Sequence, residues 1–280
     1  MHLEDFSPGQ VFTSEPRTIT VEDVECFTRL TGDDHPIHQP TTGDRAGSAS
    51  SDGERAIVHG TLGVALFTGF FRSMGLSEQA QALLDVDWSF VAPMRIGDAI
   101  TCCLTITRVR RSSGGDRGIV HRAVELRNQD DEILQRGTSH LVVAARCEHP
   151  LSPHFDFLSK SSVEQLGEAL DEDPAFQEIV AAYDGTIGLS VGGQEAHLRI
   201  YRGRIIEASR RSLLGADFVV SISDRDWTRL MTSPENDFMK MAITGCFRTS
   251  GSGAEYLRMT RPLITIVDHA RTLFQKDLSR

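Results

Sequence analysis

The sequence predicts an α+β protein of two domains, and three stretches carry that expectation. "HGTLGVALFTGFFRSMG" is apolar on nearly all sides, which implies a buried helix. The text from "DAITCCLTITRVRR" to "RGIVHRAVELRNQDDEILQRGTSHLVVAAR" is β-rich, and a helix followed by antiparallel strands is an α+β layout. "RCEHPLSPHFDFLSKSS" holds two prolines and no clear periodicity, so it reads as a linker. The expected division is a domain over 1–148, a linker over 149–162 and a second domain over 163–280.

The elements follow in order. In "TVEDVECFTRLTG", Thr20 and Asp23 have the spacing of a capping box, and Val24, Phe27 and Leu30 recur at helical spacing. Gly32 ends that run as a left-handed cap. A loop rich in Gly, Ser and Asp comes next, then the apolar helix. Strands are expected from Asp87 onward, with "NQDDE" as a hairpin turn.

The second half opens with helical text, "SSVEQLGEALDE" and "DPAFQEIVAAY", where Asp173 and Pro174 fit N-cap and N1. "GTIGLSVGGQEAHLRIYRGRIIEA" reads as strands turning at Gly192 and Gly193, and "ADFVVSIS" as a further strand. "DRDWTRLMTS" is a short helix capped by Ser223. "FMKMAITGCFRTSG" reads as a strand pair or strand end, and "AEYLRMTRPLITIVDHARTLF" as helix until about Pro262.

The formal net charge of −10 and pI of about 5.5 argue against a general nucleic-acid binder. The longest near-apolar run, Leu62 to Phe71, is about half a membrane span. "MHLEDFSPGQ" has no basic stretch leading into an apolar core, so no secretory signal is expected. The five cysteines fit no metal-ligand spacing and read as reduced thiols of a cytoplasmic protein. We expect neither a metal nor a cofactor.

Chemistry concentrates in "LTGDDHPIH". Pro36 fixes its own φ and biases His35 towards extended geometry, so the loop can aim Asp33 and His38 at one point. A carboxylate and an imidazole around one water are a plausible acid/base pair at neutral pH. The same residues have a plain structural use, since Asp33 could simply cap the turn. In "AIVHGTLGVALF", His59, Gly60 and Thr61 open the apolar helix, whose unpaired N–H groups could polarise a carbonyl oxygen. Here too a structural use is open, with Gly60 easing helix entry and His59 capping it.

Together the two segments resemble the MaoC-like, (R)-specific enoyl-CoA hydratases, whose pattern is Asp-x-Asn-Pro-x-His, a spacer, then His-Gly and an apolar helix. The match is Asp33, Pro36, His38, His59 and Gly60, and "DWSFVAPMRIGDAI" and "VELRNQDDEILQRGTSHLVV" extend it over roughly residues 5 to 145. The resemblance implies a hotdog fold, a long helix wrapped by an antiparallel sheet. It implies reversible hydration of trans-2-enoyl thioesters, or dehydration of (R)-3-hydroxyacyl thioesters, carried on coenzyme A or an acyl carrier protein. Asp33 and His38 become the acid/base pair and Gly60 the thioester N–H donor, with His35, His59 and Thr61 beside the substrate. A homodimer is implied as well.

Three departures stand out: His35 replaces the family's Asn, Ala65 replaces a small hydroxyl residue, and the loop from Pro40 to Arg55 is rich in small polar residues. Asp34 lies next to Asp33 but off the pattern.

The second half resembles the sterol carrier protein type 2 domain over about residues 163 to 270. The tokens are a strand ending in Ser-Asp, a helix with an aromatic and Leu-Met, then Ile-Thr-Gly and a closing helix. That resemblance implies a helix-covered sheet with an apolar tunnel for acyl chains or other lipids. From the residues alone, Phe218, Val220, Ile222, Trp227, Leu230, Met231, Phe238, Met239, Met241 and Ile243 supply apolar matter that core filling also explains.

Two other readings stay open. One is a non-catalytic acyl- or lipid-binding protein, and the other a hotdog tailoring enzyme for a polyketide-like substrate. The arginines Arg108, Arg110, Arg111, Arg117 and Arg122 read as a solvated strand face or as a phosphate-binding cluster.

Overall fold

The computed structural model describes residues 1–42, 44, 55–146 and 159–278. The chain divides into two compact units, Met1–His149 and Pro150–Arg280. No helix among the described residues is long and apolar enough to cross a membrane.

In the first unit, β1 (Val11–Thr13) and β2 (Arg17–Thr18) lead into helix α1 (Val21–Thr31). The capping box forms: Thr20 Oγ1 accepts from the Asp23 N–H, and the Asp23 carboxylate accepts from the Thr20 N–H. Gly32 closes the helix at φ 75°. Only Val24 of the three spaced apolar residues is fully buried, and Leu30 is exposed.

Helix α2 (Gly60–Ser73) buries Leu62, Gly63, Leu66, Phe67, Phe70 and Phe71. Its opposite side, with Thr61, Ala65, Thr68 and Gly69, faces solvent in the single chain, so α2 is covered on one side only.

The sheet is antiparallel, in the order β1-β4-β5-β6-β3, with β2 also paired to β4. Strand β3 spans Ala80–Phe90, β4 Ala99–Arg111, β5 Arg117–Arg127 and β6 Ile133–Ala144. Strands were expected only from Asp87 onward, but β1 and β2 are too short to show alternation, and β3 starts at Ala80 as a mostly exposed edge strand that lacks it. The predicted turn over Asn128–Glu132 is present, with Asn128 Oδ1 accepting from the N–H groups of Asp130 and Glu132.

The arginine cluster splits between the two faces of the sheet. Arg122 points inward, opposite Ser139 and Ile106 in the ladder, and its guanidinium lies over the rings of Phe67 and Phe71 at 5.2 and 4.4 Å. It donates to Ser139 Oγ, and burial pulls its pKa down to about 10. Arg111 pairs with Glu4, whereas Arg110 and Arg117 are exposed. These five side chains therefore do not form a single solvated face.

In the second unit, α3 (Lys160–Asp171) and α4 (Pro174–Ile179) precede β7 (Asp184–Val191), β8 (Gln194–Tyr201) and β9 (Arg204–Ser209). Lys160–Ser162 form the first turn of α3, capped by Ser159, so the linker ends earlier than expected; residues 147–158 lie outside the described ones. Strand β10 (Phe218–Ile222) runs parallel to β7, and β11 (Arg248–Gly251) completes the order β11-β10-β7-β8-β9.

Helix α5 (Asp224–Thr232) is capped by Ser223 as expected. Phe238–Ile243 is a helix, α6, and not a strand. Short α7 (Gly253–Arg258) precedes α8 (Thr260–Leu278), which begins near Pro262 where a stop was expected. A proline in the first helical turn gives up only an N–H that has no intrahelical acceptor there.

One face of this sheet packs on the helices around a core that includes Phe176, Leu198, Phe218 and Ile266. Eight of the ten apolar residues singled out from sequence lie in that core, while Met239 and Ile243 are exposed. Packing explains those eight without a ligand.

Candidate active site

The loop after α1 does bring Asp33 and His38 together. Gly32 turns the chain, and Asp33 Oδ1 then accepts from the His35 N–H at 3.4 Å. His35 caps the short 3-10 turn Pro36–His38 by accepting from the Ile37 N–H on its own Nδ1. His35 thus acts as a local cap on an exposed loop. His38 Nδ1 lies 2.7 Å from the Ile57 carbonyl oxygen. A carbonyl only accepts, so Nδ1 carries the proton and the neutral ring keeps a free lone pair on Nε2. That Nε2 faces Asp33 Oδ2 at 4.0 Å. The gap is too long for a direct hydrogen bond and leaves room for a shared proton carrier. His38 is mostly buried, whereas the Asp33 side chain is 53% exposed, so solvent reaches the pair from the carboxylate side.

His59 is buried at 1% exposure and does not cap the helix with its side chain. Its Nε2 instead donates to the Asp33 carbonyl oxygen at 2.9 Å, with Thr28 Oγ1 at 3.5 Å. The His59 and His38 rings stack at 4.0 Å between centroids. His59 thus fastens the Asp33 backbone to the entrance of α2. Asp33, His38 and His59 offer oxygen and nitrogen atoms within 4.8 Å of one another, the spacing a metal ion would need. In the tautomers these hydrogen bonds set, the His38 lone pair is on Nε2 and the His59 lone pair is on Nδ1.

Gly60 is the first residue of α2, so its N–H has no acceptor inside the helix. A Cβ there would sit 2.9 Å from Phe90 Cε1, so glycine leaves space for the aromatic ring. Thr61 lies exposed one residue on, and Ala65 is on the same exposed side a turn later. Asp34 is exposed and contributes only its carbonyl oxygen, to Gln39 Nε2. Most of the Pro40–Arg55 loop lies outside the described residues.

Gln135 is the residue the sequence did not single out. It is buried at 2%, donates from Nε2 to the Gly60 carbonyl oxygen at 3.0 Å, and accepts from Trp88 Nε1 at 2.9 Å. It bolts the amino end of α2 to β6 and β3. Its signal was a polar side chain at an inward position of an alternating strand.

A helix held against an antiparallel sheet, with a carboxylate and an imidazole gathered at its amino end, defines a hotdog unit. Residues 5–126, all within the first unit, match the family model described as MaoC like domain. An (R)-specific enoyl-CoA hydratase of Aeromonas caviae is 33% identical over 88 residues, which is 31% of this chain and 62% of that protein. The chain thus spans less than two thirds of that curated relative. Among solved structures, a MaoC-like dehydratase from Rhodospirillum rubrum is 25% identical at a TM-score of 0.44, covering 52% of this chain and 99% of that one. An (R)-hydratase from Pseudomonas aeruginosa in unliganded form is 19% identical at a TM-score of 0.41, covering 51% and 85%.

Proposed function

We propose that the first unit is a hydro-lyase that interconverts trans-2-enoyl and (R)-3-hydroxyacyl thioesters. The observation that carries this reading is the His38 Nε2 lone pair held 4.0 Å from the Asp33 carboxylate by the Nδ1–H bond to Ile57. In hydration, a water between the two groups loses a proton to one of them while its oxygen bonds to C3. The C2–C3 π electrons move towards the thioester oxygen, where the Gly60 N–H at the positive end of α2 stabilises the charge. The proton taken from the water is the one that C2 then takes up, delivered by the pair, so the site ends in its starting protonation state. Dehydration runs the same steps backwards. His59 positions Asp33 and is not itself a proton donor in this scheme.

Purified protein should hydrate enoyl thioesters. A panel of straight, branched and cyclic acyl groups on coenzyme A and on an acyl carrier protein tests this by loss of enoyl absorbance. Turnover confined to the cyclic or polyketide-like members would favour the tailoring enzyme, and absence of turnover across the panel would leave the acyl-binding reading in its place.

We further propose that the chain forms a homodimer and that the second unit carries an acyl chain or other lipid. The exposed edge strand β3, with Leu83, Leu84 and Phe90 near half exposed, and the uncovered side of α2 support the dimer. The helix-covered sheet of the second unit supports the cargo reading. Native mass spectrometry checks both: the species should weigh two chains and release a lipid on denaturation, while an empty monomer would count against them.

A further inference from the structure

The chain between β9 and β10, Arg210 to Asp217, crosses the sheet face that turns away from the helices. It is a built structure. The Ser212 N–H donates to Nδ1 of His197, and both residues are buried. Ser212 Oγ donates to the Gly215 carbonyl oxygen at 2.9 Å, and the Gly215 N–H closes a turn back to Ser212 at 3.2 Å. Farther along, a Cβ on Gly188 would lie 3.0 Å from the Ala216 Cβ, so the segment rests directly on β7. The Asp217 N–H bonds the Thr186 carbonyl oxygen at 2.9 Å.

At the tip of this anchored turn stand Leu213 and Leu214, 104% and 91% exposed, the most exposed large apolar side chains among the described residues. Central turn positions ordinarily take Gly, Pro, Asn, Asp or Ser. Two leucines held rigidly in water at such a tip call for an apolar partner. Arg210 and Arg211 precede them, both exposed; Arg210 leans on Gln194 Oε1, and neither is ion-paired among the described residues.

We infer that this turn docks the protein on an anionic lipid bilayer, with Leu213 and Leu214 entering the acyl region and Arg210 and Arg211 meeting the headgroup phosphates. Size and charge select this partner. Two residues fall far short of the 20–30 per side, and roughly 1,000 Å², that a protein interface needs. A bilayer accepts a small apolar tip, and guanidinium groups beside it match anionic headgroups. The inference is independent of the hydro-lyase reading.

Vesicle flotation of the full-length protein tests it. Wild type should float with phosphatidylcholine–phosphatidylglycerol vesicles and much less with phosphatidylcholine alone. Leu213→Ser/Leu214→Ser should keep the melting curve and lose on the order of a hundredfold in partitioning, about tenfold per leucine. Arg210→Gln/Arg211→Gln should lose about fivefold per arginine, together with the preference for anionic vesicles. A Leu214→Trp variant should blue-shift its fluorescence on anionic vesicles. Wild type that fails to float, a leucine variant that floats equally, or a tryptophan that does not shift each overturns the inference. So does leucine-dependent self-association without vesicles, which would make a second copy the occupant.

Discussion

Asp33→Asn and His38→Gln each lower kcat/KM on the preferred thioester by about 10²–10⁴-fold, the span a positioned acid or base contributes. The expectation follows from what each change leaves in place. Asparagine keeps the oxygen that accepts from the His35 N–H, so the turn survives while the carboxylate is lost. Glutamine at position 38 can still donate to the Ile57 carbonyl oxygen but has no basic lone pair to offer. Asp33 is half exposed, and a glutamine at position 38 keeps the bond to the Ile57 carbonyl oxygen, so the melting temperature should change little. Asp34→Asn is the internal comparison: its carboxylate is exposed and outside the cluster, so the rate should be unchanged. Steady-state kinetics with thermal melts decides the matter. Full activity in both variants removes the acid/base assignment, and loss in Asp34→Asn instead moves the carboxylate by one residue.

The sequence was most informative where local chemistry decides structure. The Thr20–Asp23 box, the Gly32 stop, the Ser223 cap and the Asn128 turn are formed by side chains within a few residues of the backbone they bond. The turn from Asp33 to His38 belongs in part to the same class, since Pro36 and the His35 cap shape it locally, while Ile57 and His59 hold it from farther along the chain.

What was not legible depends on partners far along the chain. Strand β3 looked shapeless because an edge strand with exposed residues need not alternate. Phe238–Ile243 has the composition of a strand, yet the core of the second unit takes Phe238 and Met241 at helical spacing. His59, which the sequence offered as a helix cap or as a residue beside the substrate, tethers the Asp33 backbone, 26 residues away. Arg122 looked like a surface charge in an alternating strand. Its place between Phe67 and Phe71 follows from ladder register, which one strand cannot reveal.

Gly63→Ala is expected to be the most damaging single-methyl change near the site. A Cβ at that position would lie 2.1 Å from Gln135 Oε1 and 2.6 Å from its Cδ and Nε2. The Gln135 amide cannot swing clear at little cost, since it is buried and bonded at both ends, to the Gly60 carbonyl oxygen and to Trp88 Nε1. Relief requires either α2 to lift off β6 or the amide to surrender both bonds. Overpacking costs about 1–3 kcal/mol, and each polar group left unsatisfied costs about 1–3 kcal/mol more. A loss of roughly 3–5 kcal/mol would lower the melting temperature of the first unit by about 10 °C. Because the displaced end of α2 carries the Gly60 N–H, kcat should fall with it. The cause is checked by a double-mutant cycle with Gln135→Ala: shortening that side chain removes the clash, so the double variant should be more stable than the two single losses added together. Strict additivity would mean that the methyl group is accommodated elsewhere, and that Gln135 is not what holds the helix end in place.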